Sequence, residues 1–583
     1  MRDLLLRSLV WYGAFAVILT ESLSAIHMLR PAPVALAWLL ALAVGYHRLS
    51  LPPRRISRDP VVLAIAGVIV VMTAAIALAA VLYPPNSADA MAYHLPRVVY
   101  WSQAASVSFF PTPYFNQIIL QPMAEYVMLH TRLLTGGDYL INLIAWAAFV
   151  GCIVGVSAIA ARLGLEARGQ AFAALLCATL PNAILQASGA KNDLLLALWL
   201  VCAAYFALSG DALLLGLAVG LALATKATAY LFLPPLLLAL GVWHRRQLAW
   251  IAAAVLLLNG PHYIRNLRLS GSPLGYDSAQ GDGVFRWRND PLGWRPLLSN
   301  LVRNTSEQLG ARSAQWNQGV YDTALRIHST LGLDPNHPSS TWPGARFAPP
   351  VNANHEANAN NRWHLLLFVI AAVCAVRSRR WALYAAGLAG AFLLFCLYLK
   401  WQPFLARLEV PLFILAAPLG AWALDRPRPT WLAVLVCAFL AGGARLPLFQ
   451  NWTRGLWGPN VAYEKTREDN YFNDMSQWNN RASYLDSVRL VSQSGCRIVG
   501  LDISENQLEY PFQALLPATV FEHTGVENAS ARYADSRAPH PCAVICPDCI
   551  GNQKKIAMYR DFGPPIEIGR FLLFMRGKLD AAR

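Results

Sequence analysis

The stretch NSADAMAYHLPR (86–97) crowds a carboxyl, a phenol, an imidazole and a guanidinium together as Asp89, Tyr93, His94 and Arg97. It directly follows an apolar run, Pro60 to Tyr83, long enough to cross a bilayer at roughly 20 residues per span. Ionisable groups in or beside membrane segments are costly unless paired or wet, so each is a functional candidate. A carboxylate here can take a proton from an acceptor hydroxyl as general base. Lys and Arg can hold a phosphate leaving group by charge-assisted hydrogen bonds. The two needs together describe a transferase that draws on a lipid-phosphate donor at the membrane surface. Glu125, Lys191, Asp193, Lys226, Arg265, Arg268, Lys400 and Arg407 also sit at segment ends and join the candidate set.

Structural roles compete at several of these positions. Asp193, in KNDLLLALWL, suits a helix N-terminus, where the dipole favours an acid. Arg97 suits an interfacial snorkelling role, and Glu125 in QPMAEYVMLH suits the wet face of an amphipathic helix. Tyr93 suits an interfacial anchor at a helix exit. Lys226, in ALATKATAY, has little polar company and needs a partner, while a turn-forming Asp89 would leave Tyr93, His94 and Arg97 unexplained.

The elements that must position these groups are membrane helices. A chain of 583 residues with 56% hydrophobic and 14% charged content and a mean hydropathy of +0.37 lies outside the soluble globular range. Apolar runs begin near Leu9, Val34, Pro60, Tyr139, Gln170, Asp193, Ala212, Ala227, Gln247, Trp363, Trp381, Leu408 and Thr430, giving a mainly α polytopic membrane protein of about 13 transmembrane helices. The loops at 47–59, 161–170, 244–247, 377–380 and 425–429 are basic, so the positive-inside rule puts them in the cytoplasm together with the N-terminus. Loops 83–138 and 265–362 and everything after about Phe449 then fall outside, on the periplasmic side of a bacterial inner membrane. On this map the net charge of +15 is mostly a topology signal, and no nucleic-acid partner is expected. The first apolar stretch lacks a clear small-residue cleavage site and reads as a retained anchor.

The chain divides into a membrane body, 1–449, and an extracytoplasmic α/β domain, 450–583. In the latter, SYLDSVRLVSQSG (483–495) has helical apolar spacing, and CRIVGLDI (496–503), AVIC (543–546) and RFLLFM (570–575) read as strands. GLDISEN follows a strand without a GxGxxG or Walker pattern, so nucleotide binding has no specific support. Cys496, Cys542, Cys546 and Cys549 all fall in this domain, where an oxidising compartment favours disulfides; three pairings are open. CPDC (546–549) also fits a zinc half-site or redox pair, although no second half-site completes it. The long loop 265–362 is rich in Asn, Gly and Pro, and its VNANHEANANN stretch (351–361) reads as flexible, as in a lid or acceptor-binding segment.

In order and placement these residues resemble the GT-C superfamily of polyprenyl-phosphate-sugar-dependent glycosyltransferases, the group that includes aminoarabinose transferases and protein O-mannosyltransferases. The resemblance spans the body through about Phe449. Asp89 in SADAMAYHLPR matches the family's acid after a membrane helix in the first large outer loop, and Asp193 in GAKNDLLLALWL matches a second acid at a later helix start. Thr225 and Lys226 in ATKATAYLFLPP, the segment GPHYIRNLRLSGSP (260–273) and Arg407 in ARLEVPLF are similar to further family features. Two features depart from it: Gln121-Pro122-Met123 stands where many relatives carry Lys-Pro-Pro, and the two N-terminal apolar segments look added.

The resemblance implies inverting transfer of a sugar from a polyprenyl-phosphate carrier to an acceptor hydroxyl on a glycan, lipid or protein. It gives Asp89 as base; Lys226, Arg97, Arg265 and Arg407 as ligands of the donor phosphate; and Glu125, His94, Asp193 and Tyr93 as sugar, acceptor or metal contacts. A divalent metal ion held by His94 with Asp89 or Glu125 is an open option, since only some members of the superfamily use one and no diagnostic ligand spacing is present. A lipid-linked oligosaccharide ligase or polymerase is the nearer rival. A transporter is the more distant one, because the charges gather on one face and no inverted repeat is evident.

Overall fold

The computed structural model describes residues 1–47, 57–281, 286–426, 431–458, 461–474, 480–505, 507–535 and 540–576. Each apolar run expected to span coincides with a helix. Among the described residues, 5 of these helices are long and apolar enough to cross a membrane alone: Arg2–Ala25, Pro60–Leu82, Leu143–Arg162, Arg379–Tyr398 and Trp431–Phe449. Six shorter apolar helices accompany them. Several of those short elements are enclosed by protein, whereas Pro31–His47 and Arg362–Ala375 keep large apolar side chains exposed. Val410–Leu424 is buried along nearly its whole length, and Asp193–Ser209 through its first 14 residues, so the two form the centre of the body.

Small residues let this body close. Gly216 and Gly220 lie four apart on Ala212–Thr225 and face the helix Arg245–Ser270. A Cβ on Gly216 would stand 2.5 Å from the Trp250 carbonyl oxygen, and one on Gly220 3.1 Å from that of Ala254. The two backbones therefore touch, as small-residue seams allow in membrane bundles.

The C-terminal sheet has the strand order β2-β1-β3-β5-β4, with β1 Ile498–Leu501, β2 Val520–His523, β3 Ala543–Cys546, β4 Ile566–Ile568 and β5 Phe571–Met575. β1 runs parallel to β2 and β3, and β5 is antiparallel to β3 and β4. The helix Arg481–Ser494 corresponds to the expected amphipathic segment. β2 and β4 are the two edge strands and only partly buried, so neither carries a continuous apolar run. The cysteines pair as Cys496–Cys542 and Cys546–Cys549.

One expectation about the loops is corrected. VNANHEANANN is packed rather than free: Ala353, Glu356, Ala357, Ala359, Asn360 and Asn361 are buried. Residues 451–458 and 461–474, assigned to the appended domain, also pack against the body, since Asn451, Thr453 and Arg454 are buried and Arg454 reaches Asn86, Ser188 and the Leu185 carbonyl. The sheet-bearing unit includes the helix Arg481–Ser494.

That unit docks on the first loop. Glu509 is fully buried and accepts from Tyr100 Oη at 2.5 Å, Gln117 Nε2 at 2.7 Å and Gln513 Nε2 at 2.8 Å, and lies 3.0 Å from His523 Nε2. Its backbone N–H donates to the Met91 carbonyl, two residues beyond Asp89.

Candidate active site

Asp89 stands at the N-terminus of a single π-helical turn, Ala90–His94, which runs straight into the helix Leu95–Ala104. Such insertions re-aim side chains and recur at functional sites. Asp89 Oδ2 meets Arg407 Nη1 at 2.5 Å, and the two side chains are 21% and 18% exposed, so the pair is reachable from solvent. Arg407 is brought in by the short helix Leu405–Leu408, just before Val410–Leu424.

A second pair stands beside the first. Lys226 Nζ contacts Asp193 Oδ1 at 2.5 Å and Asn192 Oδ1 at 3.0 Å. Lys226 ends Ala212–Thr225 and Asp193 opens the central helix, so helix termini supply both charges. Asp193 is the first residue of that helix, with Asn192 at the cap position. One carboxylate oxygen, Asp193 Oδ2, and one guanidinium nitrogen, Arg407 Nε, are buried without a hydrogen-bond partner.

The electrostatics join the two pairs. Burial works against a charge on Asp89, but Arg407, with Lys191, His94 and Lys226, outweighs it and holds the carboxyl well below the usual carboxylate range. Asp89 in turn acts on Tyr93 and Tyr114, whose rings meet edge to face at 5.9 Å and whose phenols are pushed up by burial and then by that carboxylate. The result is an ionised acid, partly open, among four cationic or titratable neighbours.

Behind this front lie two residues that the sequence did not single out, Glu356 and Arg454. Lys191 Nζ contacts Glu356 Oε1 at 2.6 Å, and Glu356 also pairs with the fully buried Arg454. Burial opposes the Glu356 charge, yet Arg454, Lys191 and His355 prevail and keep it ionised. Nothing local signalled Glu356: one acid in an Asn-rich run reads as solvated loop, and its partners lie far away in sequence.

Three of the expected phosphate or sugar contacts are otherwise engaged. Arg97 is fully buried, donating to Glu125 Oε1 at 3.3 Å and to the carbonyls of Ile118 and Leu120 at 3.0 and 2.7 Å, with its guanidinium 4.5 Å from the Trp101 ring. Glu125 is sealed with it and takes His94 Nδ1 at 2.8 Å. Neither the snorkelling reading of Arg97 nor the wet-face reading of Glu125 holds, because the helix Met123–Thr135 turns this acid inward. Arg265 is held bidentately by Glu21 at 2.6 and 2.8 Å and donates to Tyr126 Oη at 2.9 Å. Glu21 comes from Arg2–Ala25, so the added N-terminal helix occupies this arginine. The His94 and Tyr93 rings lie 4.3 Å apart, tilted by 43°, between the sealed set and Asp89.

The donors around Asp89 do not fit a metal ion. Its carboxylate faces a guanidinium, His94 faces Glu125, and among the described residues no three His, Cys, Asp or Glu ligands converge there. The one such group is Asp502 with Cys546 and Cys549, whose sulfurs are already joined.

No protein-family model matches the chain, and no curated protein matches it. Among solved structures it is similar to ArnT from Cupriavidus metallidurans bound to undecaprenyl phosphate, with a TM-score of 0.51 and 16% identity over 90% of this chain and 99% of that one. The apo form of the same protein aligns with a TM-score of 0.48 at 16% identity, over 88% and 98% of the two chains. The likeness at this identity is one of fold alone. That ArnT-like architecture extends along nearly the whole chain.

Proposed function

We propose that the protein is a glycosyltransferase that moves a sugar from a polyprenyl-phosphate carrier to an acceptor hydroxyl, with inversion, on the periplasmic side of the inner membrane. The observation that carries this reading is the side-by-side pairing of Asp89 with Arg407 and Asp193 with Lys226, partly open and set at helix ends. The ArnT-like fold supports it, since that neighbour was solved with undecaprenyl phosphate. The basic loops support the orientation, placing the opposite face in the cytoplasm.

In the proposed step the acceptor oxygen attacks the anomeric carbon, the bond from that carbon to the phosphate oxygen breaks, and polyprenyl phosphate leaves with the electron pair. Asp89 receives the hydroxyl proton. Arg407 and Lys226 hold the phosphate, where a low-dielectric setting strengthens charge-assisted contacts. Ground-state pairing with Arg407 makes Asp89 a weak base. A donor phosphate that draws Arg407 toward itself raises the basicity of Asp89 when the acceptor is present, so the same arginine times both events. Asp193 keeps Lys226 charged and in place. No step is routed through a metal ion.

The test is reconstitution with a lipid extract containing polyprenyl-phosphate sugars, reading release of free polyprenyl phosphate, alongside mass analysis of envelope glycans and glycoproteins with and without the gene. Release that depends on Asp89 supports the reading. An Asp89→Asn variant with full transfer, together with loss of transfer on changing Arg or His within 265–362, points instead to a ligase. Transbilayer movement of lipid-linked sugar without release points to a transporter.

A further inference from the structure

Two adjoining cavities lie apart from the Asp89 pairs, and neither is used by the proposed transfer. The first, of about 690 Å³, opens where the helices Arg362–Ala375 and Trp431–Phe449 meet the packed strap 351–361. Its lining includes Arg312, Arg362 and Asn360 and contains no acidic residue. Asn360 is 4% exposed, yet its Nδ2 has no hydrogen-bond partner, and Arg362 Nε is likewise buried and unpartnered. The second cavity, of about 790 Å³, is a groove between the helices Trp294–Gln308 and Ala314–Thr330, lined by Leu301, Val302, Val320, Ala324 and Ile327 among others, with no charged side chain. Ser313 and Trp316 belong to both linings, so the basic, amide-rich space adjoins the apolar one.

The strap between this space and Asp89 has two faces. Glu356 points inward to Lys191, whereas Asn352, Asn354 and Asn360 line the cavity. Around the cavity Trp316, Trp363, Phe439 and Trp452 are each exposed, as aromatic side chains are at a membrane interface.

We infer that these adjoining cavities bind a membrane lipid with an anionic head group, its phosphate against Arg312, Arg362 and Asn360 and one acyl chain along the groove between the two amphipathic helices. The chemistry selects this occupant: two guanidinium groups and an unpaired amide donor without a carboxylate suit an anion, and the uncharged extension suits a hydrocarbon chain. A neutral lipid would leave both arginines without a counter-charge. The inference does not depend on the transferase reading.

The test is native mass spectrometry of the full-length protein from nanodiscs containing equal phosphatidylglycerol and phosphatidylcholine. Wild-type protein is expected to retain phosphatidylglycerol by roughly tenfold over phosphatidylcholine, one charge-assisted contact's worth of discrimination. Arg312→Gln with Arg362→Gln is expected to abolish that preference. Gly319→Leu, in the groove, and Gly443→Leu, beside the basic pocket, fill space where an added Cβ meets nothing within 4 Å. Both also replace a poor helix former, so the fold is preserved while retention falls. Equal retention of the two lipids by wild-type protein overturns the proposal, as does an undiminished preference in the double arginine variant. If the arginine variant does not fold, the glycine variants decide: unchanged retention in both overturns the proposal.

Discussion

Within the single stretch NSADAMAYHLPR, two charged clusters have opposite constructions. Asp89 meets one guanidinium nitrogen and stays about a fifth exposed, beside a second acid–base pair that is also partly open. A few residues on, His94 and Arg97 close on Glu125 with exposures of 1% or less, and Arg97 spends its remaining donors on two backbone carbonyls. Charge type is the same in both; access differs. An ion pair that a ligand can enter is suited to exchange its partners during a reaction. A sealed one fixes the loop that carries the reactive acid, and its value lies in the cost of breaking it.

The sharpest break of this comparison is Asp89→Asn. Removing a general base costs about 10²- to 10⁴-fold in turnover, read as polyprenyl phosphate release, with a smaller fall in melting temperature than the sealed-cluster variants show. A drop in melting temperature as large as the one caused by sealing-cluster variants would merge the two clusters. Next comes Glu125→Ala, which leaves the Arg97 charge buried without its carboxylate. Breaking a buried pair this way costs about 3–5 kcal/mol, so a large fall in thermal midpoint is expected.

Glu307 provides a third case, a buried carboxyl shifted by burial alone, up to about 7 from its ordinary 4.5. The folded protein binds that proton more tightly than the unfolded chain does. The stability it contributes is therefore full below about pH 4.5 and lost as pH rises through about 7, amounting to about 3 kcal/mol by linkage. Glu307→Gln is expected to remove this part of the pH dependence and raise the melting temperature at pH 8, checked by melts from pH 4 to 8. The smallest effect is expected from Arg407→Lys, which keeps the charge and loses the planar fork. About a tenfold rise in donor KM with kcat little changed is expected in steady-state kinetics. A loss confined to kcat would place Arg407 with Asp89 in the chemical step rather than in phosphate binding.

How far the site was legible follows from what each residue needed. Asp89, Asp193, Lys226 and Arg407 stood out because a charge at the end of an apolar segment is expensive wherever the chain then goes. Arg97 and Arg265 stood out for the same reason, and the structure gives them acids of their own, Glu125 and Glu21. Position predicted that these arginines needed a partner, not that the partner was already in the protein. Glu356 was invisible because cost is not apparent in a polar run. Its burial follows from Arg454 and Lys191 arriving from two other segments.

The sequence by itself determined the membrane class, the helices and the strong strands β1, β3 and β5, because hydrophobic periodicity and run length are local properties. It also determined which residues carried charge at segment ends. Tertiary structure alone decided which charges pair, which are sealed and which stay open, for Asp89 and Arg407 lie 318 residues apart. It likewise chose one disulfide pairing among three and turned a loop read as flexible into a packed strap. The reason is physical: a charge's environment is set by groups brought near in space, and neither distance nor burial can be read along the chain.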